Sequence, residues 1–184
     1  MADKGGSGKQ VVFLGLFIGI LVLIAAGYML MARGPVKNSI TTKGDRAPEF
    51  RLQSMDGKYI SLSELKGKVV MVHFWATWCP PCVEEIPTLD KLYLEFMGKD
   101  FEMLAISVDE GGIAAVAPFM QKNHLHVPIF FDPRRSIAGA YGTFKFPETY
   151  ILDRGGIVRH KVIGPADWTS PENKRILQEI IDAR

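Results

Sequence analysis

Apolar and polar positions divide this chain into two unlike parts. From Val11 to Ala32 no side chain carries a charge, whereas beyond Pro48 short apolar runs alternate with polar turns. Phe50-Arg51-Leu52 and Lys58-Tyr59-Ile60 alternate around Asp56-Gly57, the signature of a β-hairpin. Ser61-x-x-Glu64 has the spacing of a capping box and predicts a short helix ending at Gly67. Val69 to Phe74 is almost continuously apolar, as expected of a central strand covered on both faces. Pro80-Pro81 predicts a helix start, since a first turn tolerates proline. Ile86, Leu89, Leu92, Tyr93 and Phe96 then follow on one helical face, with a kink expected at Pro87. Further on, the pattern predicts a strand over 101–108, a helix over 113–123, a strand over 129–131 and a brief helix over 136–141. A hairpin over 149–162 turns at Asp153-Arg154-Gly155-Gly156, and a closing helix over 172–183 turns Ile176, Leu177 and Ile180 inward. Strands alternating with helices and then a terminal hairpin predict a mixed sheet between helices.

The uncharged stretch sets the domain plan. As a helix rising ~1.5 Å per residue it is about 33 Å long, enough for a hydrocarbon core of about 30 Å. The reading is a cytoplasmic tail over 1–10, a transmembrane signal-anchor from Val11 to Ala32, a linker over 33–47 and a globular domain over 48–184. A cleaved signal peptide is the competing reading. Its apolar region is usually shorter, about 7–15 residues, although Ala25-Ala26-Gly27 resembles a weak cleavage site. Lysines and arginines flank both ends of the stretch, so charge does not orient it. An anchor followed by a domain usually exports the domain, here to the periplasm or another extracytoplasmic space.

Composition adds little. A net charge of +2 and the absence of a basic run leave nucleic-acid binding without support. The cysteines add much more. There are two, in Cys79-Pro80-Pro81-Cys82, directly after the apolar strand and Trp75-Ala76-Thr77-Trp78. With no other thiol in the chain, they pair with each other. A disulfide closing so short a loop contributes little to global stability, so its use is to open and close. At a helix start, backbone N–H groups and the helix dipole favour a thiolate. Cys79 is then the nucleophile, and Cys82, one turn in, resolves the mixed disulfide. Pro80 and Pro81 remove two N–H donors and stiffen the loop.

The segment Val72-His73-Phe74-Trp75-Ala76-Thr77-Trp78-Cys79-Pro80-Pro81-Cys82 resembles the active site of the thioredoxin superfamily. Its nearest likeness is to the membrane-anchored TlpA/ResA/CcmG-like (DsbE-like) thiol–disulfide oxidoreductases. The leading hairpin and an insert over 109–127 match that branch. So does Phe146-Pro147-Glu148-Thr149, which resembles the family's cis-proline loop. The resemblance implies an α/β thioredoxin fold with a cis bond at Pro147 and a substrate groove along Phe146, Pro147, Glu148 and Thr149. It also implies that Glu85 modulates cysteine acidity, with Glu148 as a second acid near the dithiol. Trp78, beside the nucleophile in sequence, is placed to shield it and touch substrate. His73 stands where thioredoxins have a buried acid, and there it would exchange the proton of the resolving thiol. Phe146 is bulkier than the family's usual residue, and Lys145 replaces a glycine.

The implied partners are protein disulfides on exported proteins, apocytochrome c among them, with a membrane thiol reductant upstream. No cofactor or metal is implied. The alternatives are a general periplasmic thiol reductase or oxidase and a copper-handling module using the thiols as soft ligands. His124-x-His126 is the other candidate metal pair. A peroxidase is disfavoured, because Thr77 stands two residues before Cys79 rather than three.

Overall fold

The computed structural model describes residues 13, 14, 16, 18–25, 27 and 40–183. The described residues between 13 and 27 are helical, and their large apolar side chains from Phe13 to Ile24 are all more than half exposed. The expected span from Val11 to Ala32 lies partly outside the described residues. Among those described, no helix is long and apolar enough to cross a membrane.

The compact unit Asn38–Arg184 has the thioredoxin-like α/β architecture. Its strands are β1 (Arg51–Ser54), β2 (Tyr59–Ser61), β3 (Val69–Trp75), β4 (Phe101–Ser107), β5 (Ile129–Phe131), β6 (Glu148–Leu152) and β7 (Val158–Ile163). Its helices are α1 (Pro80–Phe96), α2 (Ile113–Asn123), α3 (Ser136–Tyr141) and α4 (Pro171–Asp182), with a 3-10 turn at Leu62–Leu65. The sheet order is β2-β1-β5-β4-β3-β6-β7. β3, β4 and β5 run parallel, and the remaining pairings are antiparallel.

Every residue of β3 is buried, which explains its unbroken apolar run. Successive side chains leave a strand on opposite faces. His73 and Trp75 meet α1 and α2, through Glu85 and Phe119 respectively. Phe74 and its neighbour Tyr150 pack edge-on against Tyr141 of α3 on the other face. α1 runs through Pro87 as one helix.

One boundary differs from its expectation. The globular unit begins well before Pro48, because residues 40–47 are bound to it rather than forming a free linker. Thr41 N–H donates to Tyr141 O, Gly44 N–H to Val158 O and Ala47 N–H to Gly156 O, while Thr41 and Ala47 are buried. Gly142, at φ +70°, leaves room for this segment: a Cβ there would come within 2.7 Å of Ile40 Cα. The polar composition of 33–47 hides this, because main-chain bonds hold the segment. In α4, Leu177 is buried as expected, Ile180 packs partly buried against the core, Ile176 is partly buried, and Ile181 joins them as a buried position.

Candidate active site

Cys79 is the N-cap of α1, and Pro80 and Pro81 form its first turn. Cys79 and Cys82 are joined as a disulfide, with Cα atoms 5.3 Å apart. Cys82 is fully buried and Cys79 is 5 % exposed. The turn that delivers Cys79 from β3 is tied down by a residue the sequence reading did not single out. Buried Asp109, just beyond β4, accepts from Thr77 N–H at 3.0 Å, from the Thr77 hydroxyl at 2.6 Å and from the Ser107 hydroxyl at 2.8 Å. A signal for it did exist: the ends of neighbouring parallel strands are where α/β sheets place their sites.

The Phe146–Pro147 peptide is cis. It brings the Phe146 carbonyl oxygen to 3.6 Å from Cys79 Sγ. Trp78, 53 % exposed, meets the Phe146 ring edge-on at 6.1 Å between centroids, and the Arg135 guanidinium lies 5.4 Å from the Trp78 ring. Phe144 is also exposed. Cys79 therefore sits at an aromatic lip, while Cys82 is sealed inside.

Behind the cysteines lies a buried polar pair. Glu85, one turn along α1 from Cys82, accepts from Ala166 N–H at 2.8 Å and from the Trp168 indole N–H at 3.2 Å, both through Oε2. Its Oε1 faces His73 Nε2 at 3.3 Å, and neither atom has another polar partner among the described residues. His73 Nδ1 lies 2.9 Å from Thr149 Oγ1. Burial pushes the Glu85 carboxyl up to about 7, against the pull of its two N–H donors. Burial also holds the His73 imidazole well below its ordinary value.

The expected grouping of Glu148 with Glu85 beside the dithiol is not what the structure shows. Glu148 pairs with Phe74 and Thr149 with His73, so the Glu148 side chain leaves the opposite face of the sheet. There its Oε1 meets Lys161 Nζ at 2.7 Å and accepts from the Tyr150 hydroxyl at 3.1 Å. The sequence placed Glu148 correctly beside Pro147, but only strand register reveals its face. His126, of the candidate metal pair, lies with Nδ1 3.1 Å from buried Asp90. Both Asp90 oxygens serve that segment, since Oδ1 accepts the N–H groups of His126 and Val127.

Comparison with known proteins agrees with this geometry. Residues 43–161 match the AhpC/TSA family. The chain is 38% identical over 121 residues to the thiol-disulfide oxidoreductase ResA of Bacillus thuringiensis (strain Al Hakam), covering 66% of this chain and 69% of that one. It is 33% identical over 156 residues to the ResA of Bacillus subtilis (strain 168), covering 85% and 87%. Among solved structures, one assigned as the thiol:disulfide interchange protein DsbE from Chlorobium tepidum superposes with a TM-score of 0.65 at 29% identity. It covers 77% of this chain and 96% of that one.

Proposed function

This chain belongs to the AhpC/TSA family and is a thiol–disulfide oxidoreductase of the ResA type, and from that premise we propose that it reduces disulfides of exported proteins outside the cytoplasm. The observation that carries the reading is the pairing of Cys79, 5% exposed, with a fully sealed Cys82 at the mouth of α1, beside the cis-proline loop. In the reduced protein the Cys79 thiolate attacks a substrate disulfide and expels one substrate sulfur as thiolate. Cys82 then attacks Cys79 Sγ, re-forms the Cys79–Cys82 disulfide and releases the second substrate sulfur. The Phe146–Pro147 turn stands beside Cys79 and would receive an extended substrate segment, to which Trp78 and Phe146 offer apolar surface.

The anchor from Val11 to Ala32 is supported by its uncharged length and by the exposure of its described apolar side chains. With both cysteines used at the site, a separate membrane thiol protein must return the enzyme to its dithiol form. The CcmG-like features around Pro147 and Glu148 favour apocytochrome c as the substrate.

The test is a Cys82→Ser chain expressed in its native compartment. Cys79 should accumulate partners as stable mixed disulfides, because nothing remains to displace them, and mass spectrometry would identify them. Recovery of no partner that depends on Cys79 defeats the proposal. Recovery of partners without a Cys-x-x-Cys-His segment defeats the apocytochrome assignment alone.

A further inference from the structure

One cation stands on the aromatic lip beside Cys79. The chain leaves β5 at Asp132, whose carboxylate is buried and fully engaged. Its Oδ1 accepts from the Ser136 N–H at 2.9 Å and the Ser136 hydroxyl at 3.0 Å, and its Oδ2 accepts from the N–H groups of Ile137 and Ala138 at 2.8 and 2.9 Å. Asp132 N–H donates to Ser107 O, and Arg135 N–H donates back to Asp132 O at 2.9 Å. This closed turn holds Arg135 at φ 53° and ψ 27°, a left-handed conformation that glycine adopts freely and arginine does not. A long charged side chain is therefore kept where the backbone favours none.

The Arg135 guanidinium lies over the Trp78 ring, 5.4 Å from its centroid, within cation–π range. Trp78 meets Phe146, whose carbonyl oxygen is 3.6 Å from Cys79 Sγ, so one ring links the charge to the residues around the nucleophile. The carboxylate of Glu110 is 4.0 Å from the guanidinium, too far for a hydrogen bond, and that side chain is 85% exposed. Among the described residues no acceptor takes a hydrogen bond from the guanidinium. An arginine steadied by an aromatic face keeps its planar fork of N–H donors for a carboxylate, which it can hold through two parallel bonds. Arg134 and Lys145, the latter directly before Phe146, are exposed and add positive charge to the same stretches of chain. The exposed acids Glu84 and Asp167 line a separate groove with Pro165 and Ala166.

We propose that Arg135 determines specificity at this site: held over Trp78 by the Asp132 turn, it binds an aspartate or glutamate side chain of the substrate close to the disulfide under attack. This rests on the reading of Cys79 as the attacking thiol. The steps from the guanidinium to the Trp78 ring and from that ring to Phe146 are 5.4 and 6.1 Å. An extended segment advances ~3.4 Å per residue, which puts the acid about three residues from the substrate cysteine. The Arg135 side chain is 47% exposed, so the contact selects among substrates rather than driving the exchange. The bonds made and broken at sulfur are unchanged.

The experiment uses the reduced full chain in uncharged detergent micelles and end-blocked peptides of one sequence, each with a single cysteine joined to thiopyridine. Glu, Gln or Lys stands three residues from that cysteine, in one series before it and in another after it. Attack by the Cys79 thiolate on the peptide sulfur expels thiopyridine, read by stopped-flow absorbance. In one of the two series, at low ionic strength, the Glu peptide should react about threefold faster than the Gln peptide and the Lys peptide about threefold slower. Arg135→Gln should bring the three rates together while leaving the Gln peptide within about twofold of its wild-type rate, and Arg135→Glu should reverse the order. Arg135→Gly suits the left-handed backbone and should lose the preference as fully, which separates the charge from the fold. Arg159→Gln, which removes an exposed arginine bonded to Asp153, should keep the preference. A wild type without the preference in either series, or a preference that survives Arg135→Gln, overturns the proposal. So does an equal slowing of all three peptides in that variant, which would mark Arg135 as acting on the thiol or the fold. Release from no peptide would defeat Cys79 as the attacking thiol and the preference with it, whereas equal release from all peptides removes the preference alone and leaves the proposed function standing.

Discussion

Glu85 and Glu148 are the same residue type, equally buried at 4% exposure, and stand on opposite faces of one sheet. Their surroundings differ in one respect that decides their chemistry. Glu148 has a cation: Lys161 Nζ lies at 2.7 Å, itself only 11% exposed at the side chain, and Tyr150, Thr143 and the Tyr141 carbonyl complete the network. Burial opposes the Lys161 charge, but hydrogen bonding to Glu148 and Tyr150 outweighs it and raises its pKa. Glu85 has two neutral N–H donors and an imidazole that burial keeps neutral. A carboxylate with a buried cation is part of the scaffold, whereas one without a cation is poised to exchange a proton. The sheet therefore separates a satisfied face, where the buried acid has its cation, from a face where it has none, the one proposed here as reactive.

The largest effect should come from breaking the satisfied face. Lys161→Met leaves a buried carboxylate without its cation and should cost about 3–5 kcal/mol, seen as a lower denaturation midpoint. Adding Glu148→Gln should restore most of the loss, because no unpaired charge then remains. If the double variant is no more stable than the single one, Glu148 does not depend on the pair.

Next comes the pH dependence of the reactive face. The Glu85 carboxyl holds its proton more tightly folded (about 7) than at its ordinary value of 4.5. Its contribution to stability is therefore complete below 4.5 and is lost as pH rises through 7. Relative to Glu85→Gln, the wild type should lose up to about 3 kcal/mol across that interval. Denaturant titrations at closely spaced pH values measure the difference, and a gap independent of pH would place Glu85 with Glu148 as a fixed charge.

A smaller change is expected at the turn that both faces share. Asp109→Ala removes the acceptor for Thr77 and Ser107 and should cost about 1–3 kcal/mol. It should also speed alkylation of reduced Cys79 by loosening the segment that holds it. Smallest of all, Phe144→Ala should change stability by less than about 0.5 kcal/mol, since the ring is 70% exposed. Its effect should appear instead as weaker capture of partners in the Cys82→Ser background.

Much of this was legible along the chain. The strand over 129–131 and the helices over 113–123 and 136–141 have the expected bounds, because local periodicity and turn residues decide them. Cys79 and Cys82 announce themselves by number and spacing. Other features depend on contacts remote in sequence. The packing of residues 40–47 rests on main-chain bonds to Tyr141, Gly156 and Val158, which no side-chain pattern encodes. The separation of Glu148 from Glu85 follows from the register of β6 against β3, where a shift of one residue would turn Glu148 to the His73 face that Glu85 covers. Trp168 is apolar by composition, and only the fold reveals that its indole N–H holds Glu85.

The contrast between the two glutamates is tested most directly by the pH profile of thiol alkylation in the reduced full chain. Wild type, Glu85→Gln and the Glu148→Gln/Lys161→Met double variant would be compared at fixed ionic strength. Glu85→Gln should move the profile to lower pH, because the thiolates no longer face a second negative charge, and the double variant should leave the profile in place. A profile that moves as far in the double variant, or stays put in Glu85→Gln, would contradict the assignment of one acid to the chemistry and the other to the fold.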